Sequence, residues 1–172
     1  MKKGYVQVYT GEGKGKTTAA LGLALRAAGA GLRVFIAQFA KGMAYSELAS
    51  LARLIPEVEV HQYGLSRFIT GTPSAEDIAA AREGLAAARA AVLSGGWDVI
   101  ILDEANIATW FGLFTVEELL ELIELAGGRM EIVITGRRAD PRVIEKADLV
   151  TEMREVRHYF ARGVGGRPGI ET

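Results

Sequence analysis

The chain has 172 residues, a hydrophobic content of 49% and a formal net charge of −1. This size and composition predict one domain over residues 1–172 and exclude an intrinsically disordered chain. The near-zero charge does not favour nonspecific nucleic-acid binding, and the lack of cysteine excludes disulfides and thiolate metal sites. Because no apolar run has membrane-spanning length, we expect a cytoplasmic protein without a membrane partner.

Short apolar, β-branched runs alternate along the chain with segments of helical pattern. In chain order the predicted elements are strand 6–9, helix 16–30, strand 33–39, helix 46–54, strand 58–63, helix 74–93, strand 99–102, helix 115–126, strand 132–135, helix 140–146 and a weaker strand 149–156. The alternation predicts an α/β fold with a doubly wound, mostly parallel sheet of about six strands. The glycine-rich tail 162–172 is predicted to be irregular.

Three of the predicted helices carry start signals. Ser74 with Asp77 and Thr115 with Glu118 have the spacing of capping boxes. Asp140 followed by proline is typical of an N-cap and a first helical residue.

The segment between the first predicted strand and helix is the most informative in the chain. Its glycines allow several backbone N–H groups to face one anion, and the helix N-terminus adds partial positive charge. Lys16 is placed to reach phosphate oxygens and Thr17 to bind Mg²⁺. A plain glycine-rich turn is the alternative. The predicted phosphate-binding loop consists of Thr10, Gly11, Glu12, Gly13, Lys14, Gly15, Lys16, Thr17 and Thr18, with Thr10 where the usual P-loop pattern has its first glycine.

Polar residues follow two later strands at the same predicted sheet edge. Asp103 and Glu104 end an apolar strand, and in a doubly wound sheet they would face the phosphates and Mg²⁺. Arg137 and Arg138 follow the fifth strand, where a guanidinium could bind phosphate. An acidic turn and a solvated arginine pair are the alternatives. Arg26, ten residues after Lys16, is on composition alone a surface ion-pair residue.

Aromatic residues leave two alternatives open. Trp110, Phe111 and Phe114 belong either to the core or to the wall of a site for a large flat ligand. His158, beside Tyr159, either lines a ligand site or has a structural role.

Taken together, these segments resemble the corrinoid adenosyltransferases of the P-loop class, which transfer the adenosyl group of ATP to cob(I)alamin. The resemblance implies a P-loop NTPase fold of RecA-like type, and ATP reversed in the loop so that C5′ faces the cobalt. It also implies Mg²⁺, a homodimer, and a reduced flavoprotein as electron donor. It rests on residues 10–20, 38–42, 102–104, 134–137 and 169–171.

The resemblance also implies roles for individual residues. Thr17 and Glu104 would hold Mg²⁺, with Asp103 behind them, and Arg26 and Arg137 would bind ATP phosphates. Lys16 and Arg137 would be the catalytic residues, because they neutralise the leaving triphosphate.

Corrinoid contacts are expected from the segment after the third strand. The family has aromatic residues there that displace the lower ligand of the corrinoid, whereas Leu65 and Arg67 stand in their places and Phe68 is one position off. The candidates are therefore Phe68, Leu65 and His158, and a core position for Phe68 is the alternative.

Two other functions fit part of the pattern. An ordinary P-loop ATPase or kinase would release ADP, whereas adenosyl transfer releases triphosphate. A non-catalytic nucleotide- or corrinoid-binding module would show no turnover.

Overall fold

The computed structural model describes residues 3–54 and 57–171, and its strands form one six-stranded sheet in the order β3-β2-β4-β5-β1-β6. All the strand pairs are parallel, so the α/β prediction is confirmed. Thr172, the end of the predicted tail, lies outside the described residues. The strands are β1 (Val6–Thr10), β2 (Val34–Phe39), β3 (Val58–Tyr63), β4 (Val99–Asp103), β5 (Glu131–Thr135) and β6 (Leu149–Glu152).

Three helices begin where the sequence places capping signals. The predicted capping boxes at Ser74 and Thr115 both form, and Asp140 caps its helix by accepting from the Arg142 N–H. No helix in the described part of the chain is long and apolar enough to cross a membrane. The helices are α1 (Lys16–Gly29), α2 (Ser46–Leu51), α3 (Ala75–Ser94), α4 (Ala105–Trp110), α5 (Val116–Ala126) and α6 (Pro141–Lys146), with 3₁₀ turns at Ala52–Leu54 and Tyr159–Arg162.

Helix α4 was not among the predicted elements. It has only six residues. Its cap residue, Glu104, has a left-handed backbone conformation, and its side chain makes no capping hydrogen bond. The sequence therefore lacks the Ser, Thr, Asp or Asn signal that marks most helix starts.

Both faces of the sheet are buried, and each face packs against different helices. Phe35 and Phe39 belong to one core cluster with residues of α3 and α5, whereas Val34 and Ile36 pack with the buried alanines of α1. Neighbouring strand residues point to opposite faces, which explains why the central strands are apolar throughout. With both faces covered, the loops at the carboxyl ends of the strands are the place for a ligand site.

Strand β6 is shorter than predicted, ending at Glu152 instead of residue 156. The chain leaves the sheet at Met153, whose N–H donates to the Thr10 carbonyl at 2.8 Å and whose carbonyl accepts from the Gly13 N–H at 2.6 Å. The predicted strand does not continue beyond residue 152, because the Met153 carbonyl turns to the glycine loop.

Candidate active site

The loop between β1 and α1 wraps around the side chain of Lys16. Gly11 and Gly15 have φ values of 94° and 116°, a left-handed region that glycine enters without strain. The Lys16 ammonium donates hydrogen bonds to the carbonyl oxygens of Gly11, at 2.8 Å, and Gly13, at 2.6 Å. Burial lowers the pKa of Lys16, although nearby carboxylates partly offset the effect. The loop thus holds an ammonium beside the N-terminus of α1, where anions bind.

Gly13 is required by a contact that the loop motif does not reveal. A Cβ at this position would lie 2.6 Å from the carbonyl oxygen of Met153. Any larger residue would therefore push the loop away from the segment that follows β6.

Asp103 ends β4 and collects hydrogen bonds from four side chains in the interior. Its Oδ1 accepts from the hydroxyls of Thr17, at 2.9 Å, and Thr135, at 2.7 Å. Its Oδ2 accepts from the Lys41 ammonium at 2.7 Å and the Gln38 amide at 3.2 Å. Asp103 is 0% exposed, and a buried carboxylate is tolerated only when it is paired and hydrogen-bonded in this way. Its position explains how Thr17 is oriented.

Glu104 faces the cleft, whereas Asp103 faces the interior. The backbone of Glu104 has φ of 60°, a strained conformation that costs about 1 kcal/mol or more outside glycine. Its N–H donates to the Thr135 hydroxyl at 3.0 Å, which holds the turn in place. Burial, followed by repulsion from Asp103, raises the pKa of the Glu104 carboxyl.

The two arginines after β5 point in different directions. Gly136 turns the chain with φ of 128°, and Arg137 then lines the cleft with Nη1 3.5 Å from Glu12 Oε2. The Arg138 guanidinium instead lies 4.8 Å from the centre of the Trp110 ring. Arg137 is therefore the member of the pair that can meet a ligand.

Arg26 lies away from the cleft. It is exposed in the last turn of α1, ten residues after Lys16, which corresponds to about 15 Å along the helix axis. Arg26 is not one of the described residues that line the cleft, and the structure does not bring it together with Lys16.

The cleft above the loop has a volume of about 930 Å³, near the upper end of the range for small-molecule sites. Its charged lining includes Lys16, Thr17, Glu104 and Arg137. The same cleft also has apolar and aromatic walls, formed by Leu21, Tyr45, Phe68, Ile69, Ile107, Phe111 and Ile170.

Two of the three predicted corrinoid contacts line this cleft. Phe68 is 69% exposed and lines it, so the alternative that Phe68 packs in the core is wrong. His158 lines it too, and its Nδ1 accepts from the Phe160 N–H at 3.1 Å. Leu65 is not among the described lining residues. A Cβ at Gly42 would lie 2.6 Å from the Leu65 carbonyl carbon. The loop that contains Leu65 therefore packs against the loop that follows β2.

The aromatic residues near α4 divide between the two open alternatives. Phe114 is buried and packs edge-to-face on Phe39 at 5.1 Å. Phe111 lines the cleft, and Trp110 is largely exposed. The group is therefore partly core and partly ligand-site wall.

The loop that carries Phe68 is fastened to the start of α3. Arg67 Nη2 donates to Asp77 Oδ2 at 2.8 Å and to Ser74 Oγ at 3.0 Å. Asp77 also accepts from the Ser74 N–H at 2.9 Å and is 3% exposed. Burial alone would raise the pKa of Asp77, but the hydrogen bonds from Ser74 and Arg67 outweigh it and lower the pKa.

Replacing Asp77 by alanine should destabilise the protein by about 1–2 kcal/mol at neutral pH, because it removes half of a capping box and the partner of Arg67. A carboxyl whose pKa is lowered on folding stabilises the protein above its ordinary value of 3.8. That contribution is lost as the pH falls from this value through the lowered pKa. Thermal unfolding should therefore show a difference at neutral pH that shrinks in acid. The exposed Glu83→Ala on the same helix is the control, and an equally large loss there would contradict the assignment.

Sequence reasoning missed several residues of the site. Gln38 and Lys41 had no assigned role, although Lys41 follows β2 at the sheet edge where Asp103 ends β4. The tail also returns to the cleft, where Glu171 accepts from Tyr159 and Arg167. For Gln38 and Lys41 the only local signal was a polar residue in or just after a buried strand, and residues 169–171 entered only through the resemblance. Four tail residues line the cleft, namely Gly166, Gly169, Ile170 and Glu171.

The parallel sheet, the glycine loop around Lys16 and the acidic end of β4 together define a P-loop nucleotide-binding protein. A sequence profile of the family ATP:corrinoid adenosyltransferase BtuR/CobO/CobP matches residues 2–172. The chain belongs to this family. It is 35% identical to the corrinoid adenosyltransferase of Pseudomonas aeruginosa over 99% of this chain and 84% of the relative. It is 34% identical to that of Escherichia coli K12 and 33% identical to corrinoid adenosyltransferase CobA of Salmonella typhimurium, each over 99% of this chain and 86% of the relative.

Proposed function

We propose that this protein transfers the 5′-deoxyadenosyl group of ATP to the cobalt of cob(I)alamin or a related corrinoid and releases triphosphate. The observation that carries the proposal is that one cleft combines a charged surface with an aromatic surface. Phosphate-binding groups around Lys16 share it with aromatic walls such as Phe68 and Phe111. A triphosphate needs the first kind of surface, and a large flat macrocycle needs the second.

The reaction requires little acid–base catalysis from the protein. Cobalt(I) donates its electron pair to C5′ of ATP, the Co–C bond forms as the C5′–O bond breaks, and the electrons of the broken bond leave with triphosphate. Because cobalt(I) is a strong nucleophile, the protein has to position C5′ and stabilise the leaving charge. Lys16 and Arg137 are the catalytic residues of the proposal, and ATP lies reversed in the loop so that C5′ faces the cobalt.

The donor set next to Lys16 fits a magnesium ion. Thr17 and Glu104 offer a hydroxyl and a carboxylate, and Mg²⁺ usually takes one or two such protein ligands together with phosphate oxygens. The Lys41 ammonium lies 3.3 Å from Thr17 Oγ1, so this hydroxyl oxygen already attracts a cation. Thr17 and Glu104 are therefore the residues that would hold Mg²⁺, which supplies positive charge to the phosphates.

The remaining partners follow from the chemistry of the cobalt. Cobalt(II) has to gain one electron before it can react, which requires a donor such as a reduced flavoprotein. The homodimer and the cytoplasmic location stay predictions. Arg26 is left out of the proposed phosphate site because of its position at the far end of α1.

Phe68→Ala should impair reduction of the corrinoid without loss of stability. A surface loop with an exposed aromatic can cover the macrocycle and keep water and the lower ligand from the cobalt, which makes cobalt(II) easier to reduce. With chemically prepared cob(I)alamin the variant should keep much of its rate, and with cobalt(II) and a reduced flavoprotein it should fail. Its stability should change by no more than about 0.5 kcal/mol, because the side chain is exposed. Equal loss in both assays would remove this loop from the reduction step.

The proposed function is tested by mixing the protein anaerobically with ATP, Mg²⁺ and chemically reduced cobalamin. We expect the absorbance of cob(I)alamin to be replaced by that of an alkylated, light-sensitive corrinoid. A spectrum that stays unchanged over many equivalents of ATP would contradict the proposal and favour a binding module.

A further inference from the structure

Lys41 holds an unusual position for a residue without an assigned role. Its ammonium donates to Asp103 Oδ2 at 2.7 Å and to Thr17 Oγ1 at 3.3 Å, and only 13% of its side chain is exposed. It therefore contacts the hydroxyl assigned to Mg²⁺ and the buried carboxylate that orients this hydroxyl.

A divalent cation bound to the Thr17 hydroxyl would lie close to the Lys41 ammonium. A magnesium ion bound to a hydroxyl lies about 2.1 Å from the oxygen, and the Lys41 nitrogen lies 3.3 Å from the same oxygen. The two cations would then be no more than about 5.4 Å apart in a partly buried site, where charges are poorly screened. Either the metal binds weakly or the ammonium moves.

Tyr45 and Glu47 can hold the Lys41 ammonium when a metal displaces it from Thr17. Lys41 Nζ lies 5.3 Å from the centre of the Tyr45 ring, and the Glu47 carboxylate is close enough to contribute to its electrostatics. Both residues line the cleft, so a short rotation of the flexible side chain would keep its charge partnered. A lysine ammonium is charged at neutral pH, so the repulsion is present when the metal arrives.

We propose that Lys41 is a built-in competitor of the divalent cation, which makes metal binding depend on the triphosphate. The metal alone has to displace the ammonium from Thr17 and Asp103. Together with a triphosphate, the added negative charge offsets the repulsion between the two cations, so the metal enters as part of the nucleotide complex. The proposal rests on the metal site of the proposed function, but it does not depend on adenosyl transfer.

The test measures binding of Mn²⁺ alone to the full chain, by the electron paramagnetic resonance signal of the free ion. Lys41→Met should bind Mn²⁺ at least about tenfold more tightly than the unsubstituted protein, because the competing charge is gone. Lys41→Arg, which keeps the charge, should bind as weakly as the unsubstituted protein. So should the control Lys146→Met, whose lysine pairs with Glu124 on the surface. Equal or weaker Mn²⁺ binding by Lys41→Met would overturn the proposal, since structural damage can weaken the site but does not tighten it.

Two further measurements keep the result decisive. Lys41→Gln keeps an N–H donor for Asp103 without the charge, so it should also bind Mn²⁺ more tightly if Lys41→Met does not fold. When ATP is added without corrinoid, the advantage of the uncharged variants should shrink to within about twofold, because the triphosphate then offsets the ammonium. An undiminished advantage would overturn the dependence on triphosphate. No corrinoid is used, so failure here is distinct from failure of adenosyl transfer.

Discussion

Lys16→Ala is expected to abolish adenosyl transfer and leave the protein folded. Each charge-assisted hydrogen bond from the ammonium to a phosphate is worth roughly 1.5–3 kcal/mol, so ATP affinity should fall roughly 10- to 100-fold. The loss in rate should be larger, because the charge that Lys16 faces grows as the triphosphate leaves. The measurements are the rate with ATP and cob(I)alamin and the thermal unfolding of the same preparation.

Lys14→Ala is the matched control for this experiment. Lys14 belongs to the same loop and carries the same charge, but its side chain is exposed and lacks the two carbonyl contacts made by Lys16. We expect only a few-fold loss from it. Near-normal turnover by a folded Lys16→Ala protein would remove the loop from catalysis.

Glu104→Gln and Asp103→Asn are expected to fail in different ways. Loss of a group that only supports a metal ligand already costs roughly 10- to 100-fold in metal affinity. Loss of Glu104, a direct ligand, should cost more, and should raise the Mg²⁺ concentration for half-maximal rate well beyond about tenfold. Asp103→Asn should have a smaller effect on Mg²⁺ and a larger one on stability. It leaves Lys41 without its partner in the interior, where a broken ion pair costs about 3 kcal/mol.

Titration of activity with Mg²⁺ and thermal unfolding, run on both variants, distinguish the two roles. A larger Mg²⁺ shift in Asp103→Asn than in Glu104→Gln would move the metal ligand to Asp103. A large loss of stability in Glu104→Gln would also contradict the assignment, since the side chain faces the cleft.

Local signals in the sequence predicted the framework of the site well. Strand β1, the glycine loop and α1 follow one another within a short segment, and the capping residues Ser74 and Thr115 mark helix starts through contacts three residues away. The Asp-Glu pair was found for the same reason, because an apolar strand that ends in two carboxylates is visible without a structure.

Contacts between distant segments explain what the sequence could not predict. Lys41 and Asp103 are 62 residues apart, and only the pairing of β2 with β4 brings them together. The contact between Gly13 and Met153 likewise depends on β6 lying beside β1. Arg26 is a different case, since helix geometry alone places it about 15 Å along the axis from Lys16, whereas the resemblance implies a phosphate contact for it.

The stoichiometry of the products tests the central claim most directly. The protein is incubated anaerobically with ATP, Mg²⁺ and cob(I)alamin, and both the alkylated corrinoid and the nucleotide products are quantified. We expect one triphosphate for each adenosylated corrinoid, with no ADP formed. Release of ADP without a new cobalt–carbon bond would contradict the account and identify an ordinary P-loop ATPase or kinase.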